Sequence, residues 1–172
     1  LKVVRALRLE VLTNPSLPSD GPGRAENGNF VLSEIELLVQ PLEAGEPSQA
    51  MPVKLSSAIA DHSQEGYAVS DSIDGKQNTG WAISVKTGST NINREAIYFP
   101  AAAIESDAGV RLTVKMHHNH RDANYLVGCF RIWVSDQSAD LLSTPAAIRE
   151  IAAIPAEERS EQQRGELDAA YK

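Results

Sequence analysis

The chain has little of several things, and each scarcity narrows the reading. It carries one cysteine, Cys129, in 172 residues, so no internal disulfide framework holds it. It has no apolar run approaching 18 residues, so no segment reads as a membrane-spanning helix. It lacks a basic excess: the net charge is −7 and the pI near 5.1, the wrong balance for gripping a phosphate backbone. No serine sits in G-x-S-x-G, which weighs against a serine hydrolase elbow. "GPGRAENGN" lacks the strand–helix context of a phosphate-binding loop. No acidic pair stands out for hydrolase chemistry. Aromatic residues make up 5%, which leaves few rings for stacking.

What remains is ordinary for one globular domain: 42% hydrophobic and 23% charged residues, in a chain long enough to bury a core. Residues 3–12 alternate, with Leu7, Leu9 and Val11 on one face and Arg8 and Glu10 on the other, the period of a half-buried strand. A long loop follows at 13–29, with three prolines and three glycines. "FVLSEIELLVQ" reads as a strand with Val31, Ile35, Leu37 and Val39 on one face. "PLEAGEPSQAMP" reads as a loop and "VKLSSAIADHS" as a short strand and bend. "EAIYFP", "GVRLTVKMHH" and "CFRIWVSD" read as further strands. The second of these has Val110, Leu112, Val114 and Met116 on one face, and the third has Phe130, Ile132 and Val134 inward. Cys129 reads as a buried small hydrophobe in that last strand. Short strands between turn signals predict an antiparallel sandwich.

The C-terminal part changes character. Thr144–Pro145 reads as a helix start, and Ser160 with Gln163 fits a capping box. Leu167, Ala170 and Tyr171 recur at helical spacing. The expected organisation is a sandwich over 1–142 and a helical connector to a following domain over 143–172. The chain starts and stops as a piece cut from a longer protein would.

Two stretches carry candidate chemistry. "SIDGKQNTGW" (72–81) combines an Asp-Gly turn, Thr79 and Trp81. One reading is the corner of a β-hairpin with Trp81 in the core. The other is a calcium site, because Ca²⁺ takes oxygens from carboxylates, hydroxyls and the carbonyls of tight loops. Asp74 would give a carboxylate and Thr79 a hydroxyl. Lys76 could lend its carbonyl, or its ammonium could pair with Asp74 in place of a metal. "HHNHRDANY" (117–125) is the second stretch. On a strand, His118 and His120 would share a face and could bind zinc, but a third ligand is missing. His118, Asn119, His120, Arg121, Asn124 and Tyr125 are also groups that hydrogen-bond sugar hydroxyls. A plain polar loop beyond a strand end is the remaining alternative.

"SSAIADHSQEGYAVSDSIDGKQNTGWAIS" resembles the first block of discoidin-like (coagulation factor 5/8 C-type) domains, with a small-residue stretch, then D-G, Thr and Trp at family spacing. "LRLEVL" and "NGNFVLSEIELLV" resemble that family's closing strands, here placed first, as in a circular permutation. Together with "FRIWVS" and "PAEERSEQQRGELDAAYK", the same segments resemble the middle region of large planctomycete proteins that join a cytochrome c-like domain to domains of unknown function. The resemblance implies an all-β fold: a jelly-roll, galactose-binding-like β-sandwich with a short C-terminal helical extension. It implies a structural Ca²⁺ held by Asp74, Thr79 and Glu34 with the carbonyls of Ser33 and Lys76. The family usually has Asn or Asp where Lys76 stands. It also implies an extracytoplasmic location, periplasmic or at the cell surface.

The expected function is a non-catalytic carbohydrate-binding module whose partner is a polysaccharide or glycan. Tyr67 and Tyr125 would serve as platforms, with Trp81 and Trp133 buried. The alternative is a structural or interaction domain that positions neighbouring domains of the parent chain, such as a cytochrome c-like one. An enzyme would need a pocket of perturbed groups, most plausibly around His117, His118 and His120.

Overall fold

The structure is a computed structural model and describes residues 2–42, 49–139, 142 and 146–170. The chain divides into two compact units, Leu1–Asp136 and Gln137–Lys172. This division falls a few residues before the 142/143 boundary expected from sequence.

The first unit is antiparallel β. Its strands are β1 (Val3–Val4), β2 (Ala6–Val11), β3 (Glu34–Pro41), β4 (Met51–Val53), β5 (Leu55–Ala60), β6 (Arg94–Pro100), β7 (Ile104–Glu105), β8 (Val110–His117) and β9 (Phe130–Ser135). One sheet has the order β5-β6-β2-β9, a second has β4-β3-β8, and β1 pairs with β7. Both larger sheets feed one core. Leu7, Leu9, Val11, Ala96 and Tyr98 enter it from the first sheet, and Ile35 from the second. Val114 and Met116 of β8 pack against it half-buried. Loop residues Phe30, Leu32, Trp81 and Ile83 complete it. Alternation drives this arrangement: the apolar set of each strand shares one face, and burying that face fixes register.

Tyr98 is fully buried, and its hydroxyl still finds a partner. Ser72 donates its only hydroxyl proton to Val69 O at 2.7 Å, so Tyr98 donates to Ser72 Oγ at 3.1 Å. Burial pushes the Tyr98 phenol far above its ordinary value, which keeps it neutral.

Several local expectations need correction. The strand read from residue 30 starts at Glu34; residues 30–33 are buried and form one isolated β-bridge, Leu32 with Trp81. Met51 and Pro52, read as loop, belong to strand β4. Trp133 is 46% exposed rather than buried. It sits at an odd position of β9, opposite Arg8, on the face away from the core. Phe130 and Val134 are on the inward side but remain more than a third exposed, because β9 is the edge strand of its sheet. Cys129 precedes β9 and is only half-buried.

The second unit holds α1 (Ala146–Ala153) and α2 (Glu161–Ala170). The capping box forms at the start of α2: Ser160 N–H donates to Gln163 Oε1 at 2.9 Å and Gln163 N–H to Ser160 Oγ at 3.2 Å. Thr144–Pro145 and Tyr171 lie outside the described residues. Among the described residues no helix is long and apolar enough to cross a membrane.

Candidate functional site

Residues 32–34, at the entry to β3, organise the site. Ser33 is 1% exposed. Its N–H donates to His117 O at 2.8 Å, and its Oγ accepts the Asn119 N–H at 2.9 Å. The end of β8 and the histidine loop are thereby clamped to the start of β3. The other loop is held by the same segment. Leu32 and Trp81 exchange both backbone hydrogen bonds at 2.9 Å. Gly80 sits so close to Leu32 O that a Cβ there would lie 2.6 Å from it, at a φ of +153°. Only glycine suits that approach.

"SIDGKQNTGW" is not a hairpin corner. It leaves a 3-10 turn, Val69–Ser72, and enters the isolated pairing at Trp81. Gly75 does adopt φ +78°, as the Asp-Gly pair requires. Trp81 is fully buried; it donates its Nε1–H to His62 O at 2.9 Å and meets Phe30 edge to face at 5.1 Å.

Around Asp74 oxygens converge. Thr79 Oγ1 lies 3.0 and 3.1 Å from the two Asp74 carboxylate oxygens and 3.1 Å from Lys76 O. A hydroxyl has one proton, so it cannot satisfy all three acceptors. Glu34 reaches the same loop, accepting the Gly75 N–H at 2.7 Å. Burial holds the Glu34 carboxyl above its usual value; the Gly75 N–H opposes this, and the nearby Asp74 charge adds to it. At Asp74 burial also acts upward, but bonds from Lys76 N–H, the Thr79 hydroxyl and the Lys76 ammonium outweigh it and hold the carboxyl low. The Lys76 ammonium is 3.3 Å from Asp74 Oδ2 and two-thirds exposed, a weak pair in water.

The donor chemistry fits calcium: two carboxylates, a hydroxyl and the Lys76 carbonyl, with fewer protons than lone pairs. Lys76 competes for one Asp74 oxygen and leaves its own carbonyl turned to Thr79. Among the described residues no three His, Cys, Asp or Glu gather into a metal site, so these carboxylates would rely on neutral oxygens for the remaining ligands.

The two loops meet across a cleft of about 390 Å³. Gln77, Asn78 and Thr79 line one side and Asn119, His120 and Arg121 the other. Val31, Ser33 and Tyr67 complete the lining. Of the residues expected to bind ligand, Asn119, His120 and Arg121 are therefore in the cleft. Tyr125 is not in its lining, but its ring packs tilted against His120, centroids 4.5 Å apart. Asn124 is exposed outside the lining.

His118 turns elsewhere and accepts the Val127 N–H at 3.2 Å. Burial holds its imidazole below the ordinary value, and His117 pushes the same way. It is a supporting residue. The shared strand face expected for His118 and His120 does not arise, because β8 ends at His117. Gln77 and Asn78 were not singled out from sequence. Their signal was two consecutive amides in a loop already marked by Asp-Gly.

Compared with models of known protein families, with curated proteins and with solved structures, the chain matches none.

Proposed function

We propose that the first unit is a non-catalytic carbohydrate-binding module of the discoidin-like, galactose-binding-like kind. Its two sheets would then be the layers of a jelly-roll β-sandwich, and it would work outside the cytoplasm as part of a larger chain. One observation carries the reading: the cleft between the loop 77–79 and the loop 119–121. Its lining offers amides, hydroxyls, an imidazole and a guanidinium, which between them donate to and accept from sugar hydroxyls. Tyr67 adds an apolar ring at the wall.

Calcium enters the proposal as a structural ion. Asp74, Glu34, Thr79 and the carbonyls of Ser33 and Lys76 would hold it, and it would supply the positive charge that the converging oxygens lack. Thr79 belongs to both the oxygen cluster and the cleft, so an ordered cluster presets one wall of the site. His120→Ala tests the reading on immobilised polysaccharides. The variant should lose binding while melting as the wild type does; unchanged binding would place the ligand elsewhere.

A second reading is favoured by a different feature. An apolar hollow of about 680 Å³ is lined by Val39, Met51, Val53 and Ala101–Ala103, among others. Met51 is more than half exposed there, as a surface that contacts another domain would be. On this reading the unit positions a neighbouring domain of its parent chain, such as a cytochrome c-like one. Met51→Glu would then abolish association with that domain and leave polysaccharide binding intact.

A further inference from the structure

Trp133 lies on the outer face of the four-stranded sheet, 46% exposed. Its indole N–H donates to Glu10 Oε2 at 2.9 Å. The guanidinium carbons of Arg8 and Arg131 stand 5.6 and 5.5 Å from its ring centroid. Three neighbours therefore fix the ring in place while leaving much of it in water. Water makes this costly for a large apolar ring, so an exposed and immobilised tryptophan is an informative feature.

Beside it the sheet forms a second crevice, also about 390 Å³. Register explains its composition. Arg131 and Glu95 are both paired opposite Glu10, and Asp61 accepts the Glu95 N–H at 3.0 Å just past the end of β5. Arg94 and Asn93 complete its polar lining. The charges interleave: Arg8 bonds Glu10 at 2.8 Å and lies 3.6 Å from Glu95, while Arg94 is 3.5 Å from Asp61. Three guanidiniums and three carboxylates cancel across the patch.

We propose that this outer sheet face is a second carbohydrate surface, with Trp133 as the platform for a sugar ring of a neutral polysaccharide. The balance of charge selects the ligand class. A cationic patch would recruit uronates or phosphates, whereas paired donors and acceptors with no net charge match hydroxyls, which both donate and accept. A fixed ring has little rotamer entropy left to lose on binding, and a sugar ring would pack on the part of the indole left exposed beside the two guanidiniums. The surface shares no residue with the loop cleft and does not depend on it.

Affinity electrophoresis of the full chain tests this, in gels containing a soluble β-glucan, a galactomannan or a xylan, and in gels containing alginate or polygalacturonate. At least one neutral polysaccharide should retard the wild type. Trp133→Ala should weaken that retardation by about tenfold in Kd, Trp133→Phe should restore most of it, and Arg121→Ala should leave this component in place. Acrylamide quenching gives a readout without a variant. Trp81 is fully buried, so quenching reports Trp133, and a bound neutral polysaccharide should shield it. Retardation lost in Arg121→Ala but unchanged in Trp133→Ala would overturn this surface and leave the cleft standing. Retardation by the acidic gels alone, or by none, would also overturn it, as would unaltered quenching in a retarding polysaccharide.

Discussion

Ser33 Oγ accepts the backbone N–H of Asn119 at 2.9 Å, across 86 positions of sequence. A buried hydroxyl at the entry to β3 thus fixes the first residue of the histidine loop that lines the cleft. Replacing Ser33 with Ala leaves that N–H without its partner, at a cost of about 1–3 kcal/mol. Urea denaturation should show the loss, and ligand affinity should fall with it. A variant as stable as the wild type would mean that the bond does not hold the loop.

Glu34→Gln separates the two readings of the oxygen cluster. The folded-state pKa of Glu34 is raised, so without calcium its ionised form opposes folding: the stability it contributes is present below its unfolded value and lost as pH rises through the folded one. At neutral pH in EDTA, Gln at 34 should therefore leave the melting temperature unchanged or raise it, since its amide oxygen can still accept the Gly75 N–H. In calcium the same variant should melt lower than the wild type. Identical shifts in both buffers would favour the Lys76–Asp74 ion pair as the only charge in the loop.

Asp74 carries the opposite sign. Its carboxyl is held low in the fold, so its stabilisation is present above the unfolded carboxylate value and fades as pH falls through the folded one. Asp74→Ala should lower the melting temperature at neutral pH, more so in calcium than in EDTA. The difference from wild type should shrink in acid. A melting difference that stays constant down to strongly acidic pH would contradict this.

The half-buried His118 should give the fold a pH dependence. His118 is held neutral by burial, so its contribution is present above about pH 6.5, the unfolded value, and declines as pH drops through the lower folded value. The wild type should lose stability between neutral and mildly acidic pH, and His118→Gln should flatten that slope. Denaturation midpoints across this range decide the matter; equal slopes in the wild type and the His118→Gln variant would refute the assignment.

Removing residues 156–172 should leave the first unit folded, because the compact units divide at Asp136/Gln137. Far-UV circular dichroism with a cooperative melt checks it. Loss of the β signal in the truncated chain would show that the second unit is needed for the fold.

The strands with one buried face were legible from sequence. In β2 and β8 a period of two runs long enough to be seen, and burial alternates with it from Leu7 to Val11 and from Val110 to Met116. The short strands β4 and β7 were not, because two or three residues cannot display a period, and β1 was read as one strand with β2. Trp133 was misplaced because tryptophan is usually mostly buried, although its odd position between Ile132 and Val134 already put it on the polar face with Arg131. At the site, both loops could be recognised by their residue types. Their meeting could not, since it depends on Ser33, Leu32 and Gly80, whose roles come from backbone approach between distant segments.

The most direct test of the carbohydrate reading is a glycan microarray probed with the isolated chain, once with calcium and once in EDTA. Binding to one class of polysaccharide is expected in calcium, and weaker or absent binding in EDTA as the Gln77–Thr79 wall of the cleft loosens. A clean negative in both buffers would contradict it and shift the assignment to a domain that positions its neighbours.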